Sequence, residues 1–83
     1  LEVEWVKPQT FNQVIVDEFE NNITSYKLQY WENDGWKDIA KGKKCGANKM
    51  HKFDAIESTK CRLFIEDSKK SPSIKELKIL NNN

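Results

Sequence analysis

This 83-residue chain is short of the residues that carry most enzyme chemistry, with one histidine, one arginine and two cysteines. Two cysteines and one distant histidine cannot complete a tetrahedral set, so no metal and no cofactor is expected. It holds no apolar run near the roughly 20 residues of a membrane span. It also has no basic-then-apolar leader, so a secreted form would have lost its signal or carried it further upstream. Charge of one sign is missing too: 14 basic and 13 acidic residues are interspersed, for a net charge of +1. That balance argues against a nucleic-acid or anionic-membrane surface driven by electrostatics. There is no repeat, no linker rich in Gly or Ser, and no helical period sustained over ten residues. A chain this short makes one domain at most and buries only about 60% of its unfolded surface.

What is present is alternation and aromatic bulk. Three Trp, four Phe and two Tyr are ample anchors for a small core. In Ile23 to Lys41, Tyr26, Leu28 and Tyr30 fall on one face, while Ser25, Lys27 and Gln29 fall on the other. That period of two is the mark of a strand with one face on a core. Glu32-Asn33-Asp34-Gly35 then interrupts the run, and Asp-Gly is expected to supply the positive φ of a tight hairpin. The second arm resumes with Trp36 and Ile39.

The remaining segments read as strands as well. Leu1 to Trp5 alternates, and Pro8, which cannot donate to a ladder, is expected to separate it from a strand over Phe11 to Glu18. Asp17 to Asn22 and Gly42 to Ala47 read as loops, and Asn48 to Phe53 as a weaker strand. Lys60 to Glu66 places Cys61, Leu63 and Ile65 on one side. Asp67 to Pro72 is a loop, and Ser73 to Leu80 closes the sheet through Ile74, Leu77 and Ile79. Seven short strands with turns at roughly 8–12-residue spacing predict an all-β fold, a jelly-roll β-sandwich over residues 1–80 with a disordered 81–83 tail.

The order of these segments resembles the coagulation factor 5/8 type C, or discoidin, family. Lys7-Pro8-Gln9-Thr10-Phe11-Asn12-Gln13-Val14 resembles its strand entry, and Ile-x-x-Tyr-x-Leu-x-Tyr-Trp followed by Asp-Gly-x-Trp-x-x-Ile-Ala-x-Gly its central hairpin. Cys61-Arg62-Leu63-Phe64-Ile65 and Ser71-Pro72-Ser73-Ile74-Lys75-Glu76-Leu77 resemble its last two strands. The wording is most similar to the domain that trails family 29 α-L-fucosidases. The resemblance implies a galactose-binding-like domain whose N-terminal strands are absent from this sequence, and an open sheet edge of that kind invites dimerisation. It also implies a non-catalytic accessory module of a secreted or periplasmic glycoside hydrolase, with that enzyme's catalytic domain and a galactose- or fucose-type glycan as partners. The alternatives are a structural domain that binds no ligand and a protein-binding adhesion domain.

Sugar-binding modules of this kind stack an aromatic on the ring and bond its hydroxyls in fixed directions. By the resemblance, the loop after the Val14–Val16 strand supplies those groups, which here makes Glu18, Phe19, Asn21 and Asn22 the candidate carbohydrate-binding residues. Arg62 is expected to pack or pair across the sheet. Trp5, Trp31 and Trp36 are expected to pack in the core or between sheets, with Trp31, which points away from the Tyr26-Leu28-Tyr30 face, the most exposed of the three. Cys45 and Cys61 are either a disulfide or buried thiols acting as small hydrophobes. His51 has no nucleophile and carboxylate placed to make it catalytic, so it reads as a solvated strand position. Asp17, Glu18 and Glu20 read as a solvated acidic loop rather than a glycosidase pair, which would need a cleft. Asn22-Ile23-Thr24 matches a glycosylation sequon.

Overall fold

The structure, a computed structural model, describes residues 1–81. It is all-β, with no helix among the described residues. Among the described residues five strands run in chain order: β1 (Glu2–Phe19), β2 (Ile23–Glu32), β3 (Gly35–Gly42), β4 (Lys49–Ser68) and β5 (Ser73–Leu80). They form a single antiparallel sheet in the order β3-β2-β4-β1-β5. Asn82 and Asn83, two residues of the expected tail, lie outside the described residues.

The seven short strands expected from the sequence merge into five because two of them, β1 and β4, are long. Pro8 does not end β1. Between Glu4 and Gln9 the chain advances past only two partner positions, Lys60 to Ser58, so the Pro8 segment is accommodated as a bulge. A proline is tolerated there because the bulged residues have no ladder bond to lose. Val6 at the bulge is fully exposed.

The length of β1 and β4 lets one sheet enclose a core. β4 pairs with β1 from Lys49 to Arg62 and with β2 from Cys61 to Ser68, so Cys61 and Arg62 have a neighbour on each side. Although β1 and β2 are not neighbours in the sheet, Phe11, Val14 and Val16 of β1 share one buried cluster with Ile23, Tyr26 and Leu28 of β2. Cys61 and Leu63 of β4 complete it, with Cys45 at its margin. The sheet therefore bends over its own apolar face, as bulges and strong twist allow.

The hairpin forms as expected, but its turn chemistry differs. The positive φ values belong to Asn33 (48°) and Asp34 (68°), not to Gly35. A tight two-residue turn needs both central residues in that region, and Asn and Asp tolerate it because their short side chains bond locally. Both edge strands carry lysines, Lys37 and Lys41 on β3 and Lys75 and Lys78 on β5, which blunts edge-to-edge pairing.

Candidate functional site

Three connections meet at one end of the sheet: the β1–β2 turn, the β3–β4 loop and the β4–β5 turn. Glu18, the penultimate residue of β1, is only 2% exposed and holds this end together. Its Oε2 accepts the backbone N–H of Asn22 at 2.9 Å and of Ile23 at 3.0 Å. Its Oε1 accepts the Gly46 N–H at 3.3 Å, and its own N–H donates to the Gly46 carbonyl at 2.9 Å. The Lys69 N–H reaches the Asn22 carbonyl at 2.7 Å, which ties in the third connection. Glu20 (φ 66°), Gly46 (φ 70°) and Asn48 (φ 51°) provide the reversals that bring these groups together. A buried carboxylate needs such donors, because an uncompensated one would be costly.

Between the loops lies a hollow of about 160 Å³ lined by Asn21, Ile23, Thr24, Lys43, Lys44 and Lys69. The four sugar-site candidates are thus dispersed. Asn21 lines the hollow, and Asn22 gives its backbone to the loop ties. Phe19 is more than half exposed and does not line the hollow. Glu18 is not the solvated loop carboxylate expected from the sequence, since both of its oxygens are engaged by backbone N–H groups. Asp17, beside it, accepts the Asn48 N–H. Among the described residues, no group of three or more His, Cys, Asp or Glu is placed to hold a metal ion.

Cys45 and Cys61 are both buried free thiols, so the bridge is not formed. Burial pushes the Cys45 thiol up to about 11, helped by the Glu18 charge, and the Cys61 thiol up to about 12. His51 also differs from its expected solvated position. It is half-buried and shares a 2.8 Å hydrogen bond with the hydroxyl of the fully buried Tyr26. Burial, with Lys49 nearby, holds its pKa below the ordinary imidazole value. The same burial raises Tyr26 to about 12.

On the opposite face of the hairpin stands an aromatic and cationic ladder that the sequence reading did not assemble. Trp31 and Trp36 are register partners and meet edge to face, with centroids 5.4 Å apart. The Arg62 guanidinium lies 4.2 Å from the Trp36 ring and 4.8 Å from the Phe64 ring, and Lys60 stands 4.6 Å over Trp31. Gln29 sits between strands as the partner of both Asp38 and Arg62. It accepts Arg62 Nε at 2.8 Å and donates to Asp38 Oδ1 at 2.7 Å. That donated bond is the main cause holding the Asp38 carboxyl below the usual carboxylate range. Arg62 thus packs and pairs across the sheet as the sequence suggested. For the rest, the period of two puts Lys27, Gln29 and Trp31 on one face, whereas the cross-strand register that sets their neighbours is decided only by the fold.

No family model matches the chain, and no curated protein matches it. Solved structures do. A provisionally assigned α-L-fucosidase from Bacteroides thetaiotaomicron VPI-5482 superimposes with a TM-score of 0.93 and 26% identity, over 100% of this chain and 20% of its own. A glycoside hydrolase 29 family member from an unknown rumen bacterium gives 0.85 and 22%, over 96% and 16%. A Ruminococcus gnavus GH29 fucosidase, solved in complex with fucose, gives 0.81 and 21%, over 99% and 17%. The chain is similar to one piece of these proteins. It spans about a fifth or less of their length, and the lower identities establish the shared fold alone.

Proposed function

We propose that this chain is a non-catalytic accessory module of a glycoside hydrolase, of the α-L-fucosidase kind, and that it packs on that enzyme's catalytic domain. The observation that carries the reading is the match of the whole chain to only a fifth of a fucosidase-type protein at a TM-score of 0.93. The ladder of Trp31, Trp36, Arg62 and Phe64 is the docking face. Tryptophan and arginine are the residues most enriched at the energetic centres of interfaces, and here Gln29 and Asp38 fix the arginine in place before contact. The four ordered motifs support a discoidin-like kinship, and a glycoside hydrolase of this kind would act outside the cytoplasm, in a secreted or periplasmic setting.

The test is calorimetry of the parent hydrolase carrying Trp36→Ala and Phe64→Ala together. The docked module should uncouple, so that its unfolding separates from that of the catalytic domain and shifts to lower temperature. A single unchanged transition would sink the docking face.

A second reading is carbohydrate binding at the loop end. It is supported by the hollow beside Asn21 and Thr24, whose walls are held by the Glu18 ties and so need little ordering when a ligand enters. Nuclear magnetic resonance titration of the chain with galactose and fucose tests it. Shifts at Asn21 and Thr24 are the expected outcome, and a silent spectrum at high sugar concentration overturns it.

A further inference from the structure

The loop-end hollow has an unusual rim. Three lysines, Lys43 and Lys44 from the β3–β4 loop and Lys69 from the β4–β5 turn, line a space of about 160 Å³. Among the described residues, four lysines make ion pairs. Lys27, Lys41, Lys60 and Lys78 each face a carboxylate within 4 Å, at Glu66, Asp38, Glu4 and Glu76. Among the described residues no ion pair involves Lys43, Lys44 or Lys69. The acidic residues at this end are mostly engaged: Glu18 holds three backbone N–H groups, Asp17 holds that of Asn48, and Asp67 that of Ser68. Among the described residues Glu20, exposed on the β1–β2 turn, has no such bond, and Glu66 is taken by Lys27 and the Ser25 hydroxyl. Three like charges from two separate connections are therefore held around one space by loops tied to each other through Glu18 and through the 2.7 Å Lys69–Asn22 bond. Mutual repulsion of such charges is relieved when an anion enters between them.

The rest of the lining narrows the ligand. Ile23 lies beneath the hollow with only 1% of its surface exposed, and Asn21 and Thr24 line the hollow beside the lysines. Asparagine and threonine side chains are of the kind that bond sugar hydroxyls, and the lysines add a preference for negative charge. We infer that the hollow formed by Asn21, Ile23, Thr24, Lys43, Lys44 and Lys69 binds a saccharide ring bearing a carboxylate or a sulfate. This rests on the carbohydrate-binding reading of the loop end and names its ligand class. It is independent of the ladder face, which lies on the outer side of the hairpin.

The experiment is a titration of the folded chain, followed by amide chemical shifts, with four probes: glucuronate, galactose 6-sulfate, uncharged galactose and inorganic sulfate. The two charged sugars should move the amides of Asn21, Thr24, Lys43, Lys44 and Lys69 and saturate. Uncharged galactose should bind about tenfold more weakly, and the Lys43→Gln, Lys69→Gln double variant should remove that preference. Raising the salt from about 50 to about 200 mM should weaken only the charged sugars. Because both lysines are exposed, the variant should keep the parent's spectrum elsewhere, and Lys75→Gln on β5 serves as a charge control with no effect. If galactose binds as well as its sulfate, the inference fails and the glycan reading survives. If no sugar binds, both fail. Equal shifts from inorganic sulfate and galactose 6-sulfate would mean an adventitious ion only, and displacement of the sugars by a glutamate-rich peptide at lower concentration would make the hollow a protein contact. Either result overturns the inference.

Discussion

Tyr26 lies against Gly42, its cross-strand partner, so closely that a β-carbon at Gly42 would stand 2.5 Å from the ring's Cζ and hydroxyl oxygen. The largest fully buried side chain of the core therefore fits only because the facing strand has a bare backbone at this position. Gly42→Ala should cost about 1–3 kcal/mol, the penalty for forcing extra volume into a packed core. Gly35, at the hairpin turn, has no atom near a built β-carbon and no positive φ, so Gly35→Ala should stay within about 0.5 kcal/mol. Urea unfolding of the two variants checks the contrast, and equal losses would contradict it.

Glu18 ties three backbone N–H groups from two connections. Glu18→Gln keeps the shape but exchanges an accepting oxygen for a donating NH₂, leaving at least one buried N–H without its partner. The expected loss is about 1.5–3 kcal/mol, as for hydrogen bonds to a charged group. Glu18→Ala should lose more. The amides of Asn22, Ile23 and Gly46 should also exchange with deuterium faster in both variants than in the parent chain. Unchanged protection would mean that the carboxylate is not what orders this end.

His51 makes stability depend on acidity. Its pKa is lowered in the folded chain, so below the ordinary imidazole value of about 6.5 the unfolded chain binds the proton more readily. Stability should be intact above that value and should fall as pH drops through the lowered folded value. His51→Gln should flatten this part of the profile while leaving the carboxylate-dependent part at lower pH. Tyr26→Phe should cost about 0.5–1.5 kcal/mol at neutral pH through loss of the hydroxyl bond. A His51 midpoint above about 6.5 in a titration followed by magnetic resonance would refute this account.

The buried thiols give an alkaline counterpart. Cys45 and Cys61 titrate near 11 and 12 in the folded chain, against an ordinary value of 9. Their contribution is whole below that ordinary value and is lost as pH rises through the folded values. At neutral pH both thiols should react with a disulfide reagent only after unfolding, because a buried, protonated thiol is a poor nucleophile. Fast modification of the folded chain at either residue would count against it.

Much of the local architecture was set by the sequence alone. Alternation at Tyr26, Leu28 and Tyr30 and at Cys61, Leu63 and Ile65 marked two strands and their inward faces, because a strand's side chains alternate whatever surrounds it. The Glu32–Gly35 interruption marked the turn, and Arg62 was legible as a cross-sheet partner. What the sequence did not determine is how far along, and against what, each strand pairs. The register brought Gln29 between Asp38 and Arg62 and set Trp36 beside that arginine. A bulge carried β1 through Pro8, and the bend of the sheet buried His51 against Tyr26 and Glu18 beneath its loops. Those outcomes depend on contacts between residues distant in the chain. A period of two fixes the face of a side chain, whereas only the folded sheet fixes its neighbours.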